Sequence, residues 1–209
     1  MPFYHCTAGA GGGGGNSDAI IEGTIASITT NASKVKPRIF AYDTTLTSFI
    51  GRNVTEIGDT AFRQATSITT LELGSLTKID SYGLYQVGAS GSTFDLDLNG
   101  ATVGSQAIQA SKVRYVTGTW SSAGASALRQ CTSLKKVEFN LNQLPTYFLY
   151  GDTALEELYL SYDQGVVSVG SNALTNVPNT CKVYVPSALV SSYQADSNWS
   201  RFDIQALPT

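Results

Sequence analysis

One apolar pattern returns seven times along this chain: an anchor residue, then apolar positions six, three and two residues further on. The clearest copies are Phe62-Ile68-Leu71-Leu73, Leu128-Leu134-Val137-Phe139 and Leu149-Leu155-Leu158-Leu160. Looser copies fill the gaps: Phe40-Leu46-Phe49-Gly51, Leu84 with Leu96-Leu98 after a Gly/Ser insertion, Ile108-Val113-Val116-Gly118 with one residue deleted, and Leu174-Thr180-Val183-Val185. The anchors stand at 40, 62, 84, 108, 128, 149 and 174, so the steps are 22, 22, 24, 20, 21 and 25 residues. A unit this short cannot bury its own apolar face, and a fixed period of this kind predicts a solenoid in which each unit stacks on its neighbours. Seven strands at about 4.8 Å would make a rod about 34 Å long.

Composition agrees. Charged residues are 14% of the 209, against about 25% in an average domain, and Ser, Thr, Gly and Asn suit the turns and outer faces of stacked short strands. The net charge of -3 supplies no basic stripe for a nucleic-acid backbone. No apolar run approaches the length of a membrane span, and the opening "MPFYHCTAGAGGGGG" lacks the regions of a secretory signal, so assembly in the cytoplasm is expected. Three cysteines, spaced 125 and 50 residues apart, form no metal-ligand motif. The sequons at Asn31, Asn53 and Asn198 are expected to be chance matches in a chain without export.

Four parts are expected. Residues 1–17 form an arm with an aromatic tip, Phe3, Tyr4 and His5, before a glycine run; this arm is the candidate partner anchor. Residues 18–36 cap the first repeat, 37–186 form the repeat array, and 187–209 form a helical cap with Ser187 as N-cap and Trp199 and Phe202 closing the last repeat.

The copies "EIGDTAFRQATSITTLEL" and "SAGASALRQCTSLKKVEF" resemble the BspA-like, bacterial surface-antigen type of leucine-rich repeat. The ending "CKVYVPSALVSSYQADSNWSRF" is similar to the terminal cap of such proteins from Gram-positive bacteria and their phages. The "IEGTIASI" segment and the opening look more like phage and prophage members than secreted adhesins. The resemblance implies a right-handed, mainly β leucine-rich-repeat solenoid, with a parallel sheet on one side and short strands or helical turns on the other. It also implies a binding or structural role with no shared active site and no cofactor.

Alternation along each strand predicts two outward rows: Ile50, Glu72, Asp97, Thr117, Glu138, Tyr159, Tyr184 and Ser48, Thr70, Asp95, Tyr115, Lys136, Glu157, Lys182. Glu72, Asp95, Asp97, Tyr115, Glu138, Tyr159 and Tyr184 are the candidate binding residues for a protein or glycan; an ordinary solvated sheet surface is the competing reading. "DLDLNG" at 95–100 matches the opening of a calcium loop, but its twelfth position is Gln106 and Leu96 and Leu98 keep the strand register. Asp95 and Asp97 on an open sheet lack the cleft that a glycosidase pair needs. His5, the only histidine, lies in the arm, so no structured base for nucleophilic catalysis is expected. Cys131 falls at the repeat position held elsewhere by Asp43, Ala65, Val87, Asp152 and Val177, which predicts a small core residue; Cys181 is expected to be structural as well.

The expectation is a non-enzymatic bacteriophage virion protein, in head decoration, tail or fibre, held by its arm to other virion proteins and displaying the repeat surface. The alternative is a bacterial surface adhesin or host-interaction module that binds protein or glycan. Neither nucleic acid nor membrane insertion is expected, and homo-oligomerisation is left open.

Overall fold

The computed structural model describes residues 21–24 and 26–208. The arm, with Phe3, Tyr4 and His5, lies outside them. The strands are β1 (Ile21–Thr24), β2 (Ser27–Thr30), β3 (Lys34–Val35), β4 (Ser48–Gly51), β5 (Glu56–Ile57), β6 (Thr70–Leu73), β7 (Leu76–Ile79), β8 (Phe94–Val103), β9 (Val113–Ala123), β10 (Lys136–Phe139), β11 (Gln143–Leu144), β12 (Glu157–Leu160), β13 (Ser168–Val169) and β14 (Lys182–Val185). A 3-10 turn at Ser187–Leu189, helix α1 (Val190–Ala195) and β15 (Asp203–Ala206) follow.

A typical repeat supplies a turn, a first strand, a corner and a second strand, so the stack has three walls. The first wall contains β2, β4, β6, the first halves of β8 and β9, then β10, β12 and β14; the second contains β3, β5, β7, the second halves of β8 and β9, then β11 and β13. Every pairing is parallel except the β1–β2 hairpin. Parallel pairing follows from the connectivity, because each strand meets its successor only after a full circuit of the chain.

The repeat anchors line the interior. Phe62, Leu128 and Leu149 are fully buried, as are Ile57, Leu76 and Ile79 from the second-wall strands. Aromatic clusters fill the stack at two levels. Phe40, Phe49 and Phe62 lie with ring centroids 5.0–5.5 Å apart, and Trp120, Phe139 and Phe148 5.1–5.6 Å apart. In the last repeat Thr180 faces solvent and Cys181 takes the buried place. The six-three-two spacing therefore misplaces that one position by a residue.

The third wall is a ladder of turns. Phe40 N donates to Ala61 O at 2.8 Å, Phe62 N to Gly83 O at 2.8 Å, Leu84 N to Ala107 O at 2.7 Å and Ile108 N to Ala127 O at 2.9 Å. Two positions flanking each anchor are left-handed in all seven copies, from Arg38 and Tyr42 to Asn172 and Asn176, with φ of 54–65° at the non-glycine residues. N–H groups at and between these positions point toward the next copy, as Arg38, Phe40 and Tyr42 do toward Asp59, Ala61 and Arg63. A left-handed non-glycine residue costs about 1–2 kcal/mol, and three inter-repeat bonds at about 1 kcal/mol each offset two of them.

Glycine is required at one corner. β8 and β9 run through from the first wall to the second, and Gly118 turns β9 with φ +94°; a Cβ there would sit 2.0 Å from Leu98 O.

At the C-terminal end β15 pairs with β14. Tyr193 and Trp199 are fully buried, with Val167 N donating to the Tyr193 hydroxyl and Trp199 Nε1 donating to Val167 O, both at 2.9 Å. Ser187 is not an N-cap: it begins the 3-10 turn behind Pro186, and no side-chain cap bond is made at either helical start. The chain enters the helix from Pro186, whose fixed φ of -50° orients the backbone without a capping hydroxyl.

Candidate functional site

The two outward rows form as the strand alternation requires. Ile50 pairs with Glu72, Asp97 with Thr117, Glu138 with Tyr159 and Tyr159 with Tyr184; in the other row Asp95 pairs with Tyr115, Tyr115 with Lys136 and Lys136 with Glu157. The face is not continuous, however. β6 ends the four-stranded sheet, and the first half of β8 pairs with β9 and, only at Leu98 opposite Leu76, with β7. The insertion Gly88–Ser92 explains the break: Ala89 N and Ser92 Oγ donate to Ile68 O, and Phe94 N turns to Lys112 O. A groove of about 680 Å³ opens there, between Glu72 on one side and Asp95 and Asp97 on the other.

The acids of this groove are already engaged. Arg52 pairs with Glu72 at 2.6 Å, Arg114 makes a two-pronged contact with Asp95, and Ser75 donates to Asp97. Leu96 and Leu98 are buried while Asp95, Asp97 and Asn99 point out, so "DLDLNG" is strand and not a calcium loop. Among the described residues no cluster of three or more His, Cys, Asp or Glu side chains could hold a metal ion.

Beyond the break the face becomes aromatic and cationic. Tyr159 and Tyr184 stack at 4.4 Å and 18°, Lys136 Nζ lies 4.4 Å from the Tyr159 centroid, and the Arg114 guanidinium 4.5 Å from that of Tyr115. Burial and the neighbouring Glu157 push the Tyr159 phenol up to about 12, so it stays protonated and donates to Glu157 Oε2 at 3.2 Å. Burial alone would raise Glu138, but the Gly118 N–H and Lys136 outweigh it and lower its carboxyl. Tyr115, Lys136, Glu138, Tyr159 and Tyr184 thus form one braced, half-exposed patch suited to binding.

The cysteines are core groups. Cys131 is fully buried and its Sγ donates to Ile108 O at 3.2 Å; burial, with Asp152 beside it, raises its thiol well above the ordinary value. Cys181 is pushed up to about 12, first by burial.

Strand alternation does not point to the turn wall, which carries a second group of aromatic and cationic side chains, half-exposed apart from the exposed Tyr42: Arg63 beside Tyr42, Tyr82 and Tyr85, and Arg129 beside Tyr147 and Tyr150. Its signal is present in the chain: "SYGLYQ" and "TYFLYG" each follow one repeat after "AFRQ" and "ALRQ".

The BspA type leucine-rich-repeat region matches in six copies, over residues 33–156 and 92–196. The chain is similar in structure to the pneumococcal vaccine antigen PcpA, at TM-score 0.53 and 21% identity, covering 88% of this chain and 42% of that one. It therefore spans less than half of that protein, and the likeness is one of fold. A leucine-rich repeat protein from Bacteroides ovatus aligns over 85% of this chain and 67% of its own, at 12% identity and TM-score 0.41. No curated protein matches significantly in sequence. With matched repeats over most of its length and the stacked fold they specify, this chain belongs to the BspA-type leucine-rich-repeat family.

Proposed function

We propose that the chain is a non-enzymatic binding module, displayed at a bacterial or phage surface, whose first-wall face around Tyr159 and Tyr184 meets the partner. The observation that carries this reading is the braced Tyr159–Tyr184 stack with Lys136 above it, on a face where the backbone is fully used in the parallel ladder and only side chains are on offer. Half-exposed, stacked tyrosines with a neighbouring cation form a rigid contact surface at low entropy cost. Membership of a family of repeat scaffolds supports binding over catalysis. Asp95 and Asp97 are exposed and partnered, without the buried, unequal environments of an acid–base pair.

Two placements follow. The family and the likeness in fold to a pneumococcal antigen support a bacterial cell surface. The resemblance of the opening and of "IEGTIASI" to phage-type members supports a virion, with residues 1–17 as anchor. Adding the full chain, and a chain lacking residues 1–17, to purified particles without the protein separates them. Binding of the full chain alone assigns a virion anchor. Binding of neither assigns the cell surface, where a protein and glycan array with Tyr159→Ala as comparison tests the face itself.

A further inference from the structure

The turn wall carries the same constellation twice. Arg63, in the second repeat, lies under Tyr82 and Tyr85 of the third, 5.1 and 5.6 Å from their centroids, with Tyr42 of the first repeat at 5.5 Å on its other side. Arg129, in the fifth repeat, lies 5.3 and 5.1 Å from Tyr147 and Tyr150 of the sixth. The tyrosine pairs are alike: Tyr82 and Tyr85 meet edge to face at 5.6 Å, Tyr147 and Tyr150 at 5.5 Å. Both guanidinium groups have a buried Nε without a hydrogen-bond partner, and neither forms an ion pair among the described residues. The half-exposed carboxylates of this wall, Asp59 and Asp80, pair with neither arginine, and Asp80 is taken by Lys78, whereas on the first wall Arg52, Arg114, Lys135 and Lys136 are each paired with an acid. A guanidinium held flat by rings and left without an anion presents its remaining N–H fork to one.

We propose that the turn wall is a binding site for an acidic polysaccharide, with Arg63 and Arg129 each receiving a carboxylate and the flanking tyrosines receiving sugar rings. The two arginines are three repeats apart, about 14 Å at 4.8 Å per repeat, so one extended chain with repeated negative groups reaches both. Between them lie side-chain amides, Gln64 bonded to Gln86 at 2.8 Å and Gln106 bonded to the buried Gln109 at 2.9 Å; the half-exposed Gln64, Gln86 and Gln106 suit hydroxyl groups. A peptide fits this wall less well. The backbone N–H and C=O groups are consumed by the inter-turn ladder, leaving no open edge for strand addition. This surface is separate from the first-wall face around Tyr159 and stands or falls independently of it.

Titration of the full chain with polygalacturonate, dextran and polyglutamate tests the proposal. Polygalacturonate should bind, and neutral dextran and polyglutamate should bind at least about tenfold more weakly. Arg63→Gln or Arg129→Gln should each weaken polygalacturonate about tenfold, as loss of a charge-assisted contact does. The double variant should lose more than either, because two-point attachment is lost. Lys34→Gln, the same charge change on the second wall, should leave binding unaltered. If the glutamine variants melt early, Arg63→Lys with Arg129→Lys keeps the charge but not the fork and should still weaken binding at least about fivefold. Absence of polygalacturonate binding, equal binding by the arginine variants, or equal or tighter binding of polyglutamate would each overturn the assignment.

Discussion

Asp152 Oδ1 accepts the backbone N–H of Cys131 at 2.7 Å, joining two adjacent repeats through a carboxyl that is itself fully buried. The other oxygen, Oδ2, has no partner, and burial raises this carboxyl well above the usual range. The folded state therefore holds a proton that the unfolded chain releases above about pH 4. Stability is full below the unfolded value and falls as pH rises toward the folded one, by at most about 1.4 kcal/mol per pH unit for one proton. Asp152→Asn should flatten this dependence between pH 4 and 7 in denaturant titrations. An unchanged slope would show that Asp152 is ionised in the fold.

Gly118 sits where β9 crosses from the first wall to the second. With φ of +94° and a Cβ position 2.0 Å from Leu98 O, Gly118→Ala should cost at least about 2 kcal/mol, more than the left-handed penalty alone. Chemical denaturation measures it, and a loss under about 0.5 kcal/mol would mean that the corner relaxes freely.

The last repeat is closed by polar as well as apolar contact. Trp199→Phe keeps most of the buried volume but leaves Val167 O without its indole donor, and should cost about 1–3 kcal/mol; Trp199→Ala should cost about 3–5 kcal/mol. The difference between the two variants, read from melting, separates packing from the hydrogen bond.

Cys131 and Cys181 should resist alkylation in the native protein at pH 8 and react after denaturation, because burial raises both thiols and only thiolate attacks. Peptide-level mass spectrometry reads each site separately. Rapid native modification at either would place that thiol outside the core.

Much of this fold is legible in the chain because strand alternation and a constant period leave few choices. Leu71, Leu96, Val116, Val137, Leu158 and Val183 all face inward, and the outward partners of Glu138, Tyr159 and Asp95 follow to the residue. The break between β6 and β8 is not legible, since the insertion at Gly88–Ser92 looks like a longer turn and its capture of Ile68 O is a tertiary event. The left-handed pairs are hidden for another reason. They are occupied mostly by Gln, Thr, Ser and Tyr, which do not announce that conformation as glycine or asparagine would, and the ladder across repeats imposes it. Arg63 and Arg129 are hidden with them, because strand alternation carries no information about the turn wall.

We propose that the half-exposed face around Tyr159 and Tyr184 is where this module meets its partner. The most direct test is an array of surface proteins and glycans probed with the full chain and with a Tyr159→Ala, Tyr184→Ala double variant of unchanged melting temperature. The account predicts at least one ligand of the parent chain whose binding falls at least about tenfold in the variant, as for a truncated aromatic hot spot. Ligands bound equally by both proteins would contradict it and move the functional surface elsewhere on the solenoid.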